Sequence, residues 1–445
     1  MYISILWHLH QPIYRDPESG RSILPWVNYH LTKNYSQMAL LAEESGFPCT
    51  FNIVPCLIEQ IEDYSAGRAD DPIQKLLESD PKELSAADRD RLKKFIPQGT
   101  DLQDGARIQA AALRSFFSPL VKTGPDKKAL LEEQSRIWKK VIPDYKRLWQ
   151  DGRVELTTSA YYHPLLPLIF DIRVGGETLM PKLNFSHPED GVEQIRRGRE
   201  YFGRIFGRVP RGIWPSEGGI SNEVAKAMAD EGYVFAVTDE NILWKTLKTG
   251  PDVPRLYRPY SCRGLKVFFR DRELSDLISF EFWRWPAKDA VSHLLTKLDE
   301  KSKGCPEEAI CVIALDGENP WAGYPDNGVL FLRELYGRIL QRKDLTPIFL
   351  ERYLDLAKPA TDLEIVPGTW LGSFRKWIGS PAKNAAWDSL TRARERCGPS
   401  REMYIAEGSD WFWWFGEGSF AEFETLFRGY LKKACRREKR GEGDG

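Results

Sequence analysis

Seven short apolar runs, each bounded by turn signals and followed by a helical pattern, constrain this chain more than any other feature. They lie at 2–8 (YISILWH), 49–54 (CTFNIV), 154–160 (VELTTSA), 212–216 (GIWPS), 233–238 (YVFAVT), 266–270 (KVFFR) and 309–315 (AICVIAL). Such runs predict parallel strands covered on both faces, hence an α/β fold. Polar residues collect where the runs end: His8 and His10, Asn52, Tyr161 to His163, Glu217, Asp239, Asp271 and Asp316. In a parallel barrel the C-terminal strand ends form the reactive face. Strands that all end in chemistry therefore predict a barrel rather than an open sheet.

Between the second and third runs, at about 59–150, the chain is charged and helix-prone (DPIQKLLESDPKELSAADRDRLKKF, then KKALLEEQSRIWKKVIPDYKRLW). A connection that long predicts a lid or subdomain. After the seventh run the pattern turns helical (GVLFLRELYGRIL, NAAWDSLTRARERC, FAEFETLFRGYLKKAC). This predicts a catalytic barrel over 1–325 with a helical insertion, then a helical domain over 326–445. The last residues, RREKRGEGDG, read as a frayed, solvated tail.

With 42% apolar residues in 445, the chain can bury a large core, which excludes disorder as its main state. Lys plus Arg number 63 against 64 Asp plus Glu, so nothing draws the protein to nucleic acid or anionic lipid. No run is long enough to span a membrane. Met1 to Leu6 already read as a buried strand, which predicts no secretory leader. Seven cysteines without CxxC spacing fit buried thiols in a reducing cytoplasm better than a disulfide framework. Fifteen Trp tilt the odds toward a carbohydrate ligand, because indole rings stack on the apolar faces of sugars.

Three motifs carry chemistry. In WHLHQP, His8 and His10 lie two apart on a strand and point the same way. Such a pair can hold a metal, but the class needs further ligands, and of the other histidines only His163 sits at a strand end. Contact with substrate hydroxyls is the better reading for His8, His10 and the adjacent Gln11. In GIWPSEGGIS, Glu217 follows a strand, and Gly218-Gly219 would let the backbone approach a ligand closely. In VIALDGENPW, Asp316 ends a fully apolar strand, where a carboxylate is costly unless used or paired. Glu318, Asn319 and Trp321 follow at once. Two carboxylates on separate strand ends suit glycoside hydrolysis, though the same pair could abstract a proton beside a carbonyl.

WHLHQP, GRVELTTSAYYHPLLPLI, GIWPSEGGIS, LDGENPW and AEGSDWFWWFG occur in the order seen in glycoside hydrolase family 57. The chain resembles the amylopullulanase and α-amylase branch of that family from residue 7 to about 416. The resemblance implies an incomplete (β/α)7 barrel followed by a helical domain, acting on α-glucan oligo- or polysaccharides with retention of configuration. It implies no cofactor and no metal. It makes Glu217 the nucleophile and Asp316 the general acid/base. His10 would sit in the −1 sugar subsite, with Glu155 of GRVEL and Trp214 nearby, and His163, Asp271, Glu318 and Trp321 join the binding candidates. GTWLGSFRKWIG resembles the family's fifth conserved region, so Trp370 and Trp377 would line the cleft, with Asp410 and Trp411 of GSDWFWW and the neighbouring Trp413 and Trp414. In FFRDRELSDLISFEF, Arg272 stands where the family usually has His, which leaves the glucan preference open.

Three further readings stand beside hydrolysis. The same site could transfer a glucosyl unit to another sugar, as a 4-α-glucanotransferase or a branching activity. A zinc-dependent α-mannosidase or deacetylase could use His8, His10 and an Asp. A glucan-binding barrel without turnover is opposed by the presence of both carboxylates.

Overall fold

The computed structural model describes residues 1–80, 82–95, 125–357, 361–417 and 421–436. Among them lie nine strands: β1 (Tyr2–Leu9), β2 (Cys49–Ile53), β3 (Val154–Thr157), β4 (Gly212–Ile213), β5 (Phe235–Asp239), β6 (Tyr260–Cys262), β7 (Leu265–Arg270), β8 (Ile310–Asp316) and β9 (Thr346–Pro347). Each apolar run overlaps one of them; β6 and β9 have no counterpart in the runs. One sheet is parallel throughout in the order β3-β2-β1-β8, with β9 also on β1. The other runs β4-β5-β7-β6, and only its edge strand β6 is antiparallel. The sheets are joined at both seams. Thr158 bridges to Ile213 in parallel, and the Asp271 N–H donates to the Val312 carbonyl at 2.7 Å.

Strand alternation explains the continuous apolar runs. One face of β1 (Ile3, Ile5, Trp7, Leu9) packs into the main core beneath the helices. Its opposite face sends Leu6 into a separate cluster with Trp214, Phe235, Val237, Phe268, Val312 and Ala314, shared by both sheets. Leu350 and Tyr353 of the helix Leu350–Leu356 join that cluster.

The stretch between β2 and β3 is helical where described: Pro55–Ser65, Pro72–Glu78, Ala86–Phe95 and Pro125–Gln150. Residues 96–124 of the expected insertion, and the expected tail beyond Arg436, lie outside the described residues. After β8, the helix Val329–Leu340 packs on the first sheet, where the Trp7 indole donates to the Tyr336 hydroxyl at 3.0 Å. The helices Pro381–Cys397, Arg401–Ala406, Ser409–Trp414 and Ala421–Ala434 pack largely on one another, with Trp387 stacked on Phe412 at 4.0 Å.

The cysteines correct the expectation of thiols alone. Cys397 and Cys435 form a disulfide, because the C-terminal ends of the helices Pro381–Cys397 and Ala421–Ala434 meet, with the two Cα atoms 5.1 Å apart. Cys49, Cys56, Cys262 and Cys311 are buried free thiols, and Cys305 is half-buried. Among the described residues no helix is long and apolar enough to cross a membrane.

Candidate active site

Parallel register sets a row of polar residues at the strand ends. Thr157, Asn52, His8 and Asp316 are direct neighbours across β3, β2, β1 and β8. His8 Nδ1 meets Asn52 Oδ1 at 2.8 Å, and Asn52 Nδ2 donates to the Thr158 carbonyl at 2.6 Å. Burial and the neighbouring His10 push His8 down to about 3, so it is neutral near pH 7. Just past β1, His10 bonds Asp410 through Nε2 at 2.9 Å. The His10 and His163 rings stack at 3.8 Å, and His8 stacks on His163 at 5.2 Å.

Glu217 sits one turn beyond β4 with φ +59°, in the left-handed region that a non-glycine residue enters at a cost. Its main chain is held there by the Trp370 N–H, which donates to the Glu217 carbonyl at 3.0 Å. Its carboxylate accepts at both oxygens: Oε1 from the Ser409 hydroxyl at 2.8 Å, Oε2 from the Trp370 indole at 3.1 Å. Burial and the Asp410 charge raise Glu217 to about 7, against the opposing pull of Ser409, Trp370 and His10. The adjacent glycines make room for protein and not, against the expectation, for a ligand: a Cβ on Gly219 would meet Leu165 Cδ1 at 2.5 Å, and Gly218 has φ +60°.

At the end of β8, Asp316 is exposed rather than confined to apolar surroundings, so burial does not explain its presence. The buried carboxylate is Glu318. It accepts the His10 N–H at 2.8 Å and the Tyr35 hydroxyl, and burial plus the Asp316 charge push it well above the usual carboxylate range.

These groups face one cavity of about 580 Å³. His8, His10, Gln11, His163, Trp214, Glu217, Asp316 and Glu318 line it from the strand ends, and Trp370, Asp410, Trp413 and Trp414 from the C-terminal segments. Trp370 and Trp413 lie nearly parallel at 6.1 Å. Two carboxylates and a set of indoles around one cleft can hold a sugar and transfer its anomeric carbon.

Five candidates lie outside that lining. Glu155 is buried two residues before the strand-end row, where it accepts from Thr50 and from the backbone N–H groups of Leu350 and Glu351. Asp271 caps the helix Arg272–Asp276 and pairs with Tyr257 and Lys301. Trp321 is fully buried and donates to the Gly317 carbonyl. Trp377 is buried against Trp413. Trp411 is buried on Phe423 and Tyr430, donating to the Ile405 carbonyl at 2.6 Å. Arg272 is outside too; it braces Asp276, which does line the cavity.

Sequence reasoning missed Arg270, Ser409, Phe280 and Trp283. Arg270 is buried, pairs with Asp239 at 2.8 Å and donates to the Ala314 carbonyl at 2.9 Å. A charged residue closing the apolar run KVFFR was the available signal. Ser409 had none beyond its place between Gly408 and Asp410.

His10, His163 and Asp410 offer ligand atoms within 4.8 Å of one another. Imidazole lone pairs lie in the ring plane, however, and the His10 and His163 planes are only 25° apart. Stacked rings do not aim at a common ion about 2.0–2.1 Å from each nitrogen. His187, Glu189 and Asp190 form a second such group, but Asp190 is paired with Arg394 at 2.6 Å.

The family model for glycosyl hydrolase family 57 matches residues 4–361. The α-amylase of Pyrococcus furiosus is 26% identical over 257 residues, 55% of this chain and 34% of the relative. The 4-α-glucanotransferase of Thermococcus litoralis is 26% identical over 259 residues, again 55% and 34%. The matched stretch is thus about a third of either relative's length. A branching enzyme structure from Thermococcus kodakaraensis shares the fold at a TM-score of 0.68 and 19% identity, covering 97% of this chain and 88% of that one.

Proposed function

The chain belongs to glycosyl hydrolase family 57, and from that premise we propose that it is a retaining α-glucan-active enzyme with Glu217 as nucleophile and Asp316 as acid/base. The observation that carries this reading is Glu217 itself: held at both oxygens, it faces the cavity that Asp316 and six indoles also line. Glu217 attacks the anomeric carbon as the glycosidic C–O bond breaks, and Asp316 gives its proton to the leaving oxygen. An acceptor hydroxyl, from water or from a second sugar, then loses its proton to Asp316 and displaces Glu217. Asp410 and His10 take sugar hydroxyls at the −1 position; Trp370, Trp413 and Trp414 stack on the rings.

We read the two sheets as one incomplete (β/α)7 barrel, supported by the Thr158–Ile213 bridge and the Asp271–Val312 hydrogen bond. The metal-free reading is supported by the stacked geometry of His10 and His163. A cytoplasmic setting is supported by the five unpaired thiols and opposed by the Cys397–Cys435 bridge.

Incubation with maltoheptaose and with pullulan, each with and without EDTA, tests the proposal. Shorter or longer α-glucans are expected, unchanged by chelation; their lengths separate hydrolysis from transfer. Inert glucans, with turnover of an α-mannoside or an acetylated glycan that EDTA abolishes, would overturn it.

A further inference from the structure

When ionised, the carboxylate of Glu217 can only accept hydrogen bonds, so the Ser409 hydroxyl then donates its one proton to Oε1 at 2.8 Å. Its oxygen then accepts from His163 Nδ1, which lies 3.1 Å away. This fixes the His163 tautomer with the proton on Nδ1, and Nε2 is the nitrogen the structure leaves buried without a partner. Ser409 cannot drift from this place. It is fully buried, its N–H donates to the His163 carbonyl at 2.9 Å, and Gly408 pairs with Pro164. His163, like Glu217, has a left-handed φ, of +56°. Two strained residues on neighbouring loops are therefore tied together by one serine from the C-terminal segment.

We infer that Ser409 is a positioning residue for the Glu217 carboxylate, the middle link of a chain running from His163 Nδ1–H through the Ser409 hydroxyl to Glu217 Oε1. The inference rests on Glu217 being the nucleophile. The hydroxyl orients one oxygen, opposes the rise that burial imposes on the ionised form, and stabilises the carboxylate again as it departs from the glycosyl ester. Other groups facing Glu217 are Asp410, His10 and His163, with Arg270 beneath the Trp370 ring at 5.8 Å. All of these remain in a Ser409 variant, so a shift in its pH profile reports the hydroxyl.

The test compares wild type with Ser409→Ala and Ser409→Thr, using kcat/KM on a maltooligosaccharide against pH. Each protein is also labelled with 5-fluoro-α-D-glucosyl fluoride and mapped by peptide mass spectrometry. Expected for Ser409→Ala are a label still on Glu217, kcat lower by roughly tenfold, and an acidic limb moved up by roughly one pH unit, with Ser409→Thr restoring the limb. An unmoved limb in a Ser409→Ala protein labelled at Glu217 overturns the inference alone. A label elsewhere in the wild type overturns the nucleophile assignment first. Should Ser409→Ala not fold, Ser409→Cys is read in its place; failure of both to fold shows that Ser409 serves the fold and overturns the inference.

Discussion

In the proposed role of nucleophile Glu217 must be ionised to attack, and the fold resists that ionisation. Its folded value of about 7 lies above the 4.5 of an unperturbed carboxyl. The folded state thus binds the extra proton between those values, and stability falls as pH rises from 4.5 through 7. Glu217→Gln removes the charge and keeps the shape. It is expected to match wild type in stability below pH 4.5 and exceed it above pH 7, by about 3 kcal/mol, while kcat drops by at least ~10³-fold. Thermal melts at three pH values check the first outcome and initial rates the second; equal melting at all pH values contradicts the buried-carboxylate account. The placement of the two carboxylates at the cavity was legible because each lies at or just past a strand end in a short motif. The environment of each was not. Asp316 reads as buried in sequence because its strand is apolar, yet it is the last residue of that strand and is exposed at the cavity, whereas Glu318, two residues on, carries the burial.

Whole elements explain why several expected site residues serve structure. Glu155 looks like a strand-end acid, but register places it level with Thr50, where its oxygens take the first two N–H groups of the helix Leu350–Leu356. Glu155→Ala strands those donors and is expected to cost ~2–3 kcal/mol, with kcat/KM of the folded protein unchanged; a kinetic loss without a stability loss would return Glu155 to the sugar site. The run Trp411 to Trp414 divides in the same way. Trp411 points into the helical layer and Trp413 into the cavity. Trp411→Ala is expected to lose ~3–5 kcal/mol of stability with normal residual kinetics. Trp413→Ala is expected to keep its melting temperature and lose kcat/KM on long maltooligosaccharides. Calorimetry beside steady-state kinetics separates the two, and a reversed pattern contradicts the placement. Aromatic spacing in a six-residue helix cannot reveal this division, because both faces of Ser409–Trp414 are covered, one by protein and one by the cleft. The seven parallel strands were legible for the opposite reason: burial on both faces leaves one unbroken signal. The three-residue β6 and two-residue β9 carry too little sequence to do so.

At the scale of the molecule, the strand ends supply the two carboxylates proposed to react, and the C-terminal segments bond the groups around them. Trp370, Ser409 and Asp410 bond Glu217 and His10 across more than 150 residues of chain. The Cys397–Cys435 bridge fastens the last described helix to that layer and closes a separation of 38 residues, which corresponds to ~4 kcal/mol in the chain-entropy account. Reduction is expected to lower the melting temperature by roughly 4 °C if the chain unfolds as a unit, read by calorimetry with and without dithiothreitol; an unchanged melting temperature contradicts that contribution. The central claim, that Glu217 carries the glycosyl unit, meets its most direct test in the covalent intermediate. The wild-type protein trapped with 5-fluoro-α-D-glucosyl fluoride and digested should yield one labelled peptide, with the sugar on Glu217; a label on Asp316 or Glu318, or turnover of glucan with no trapped ester, would contradict it.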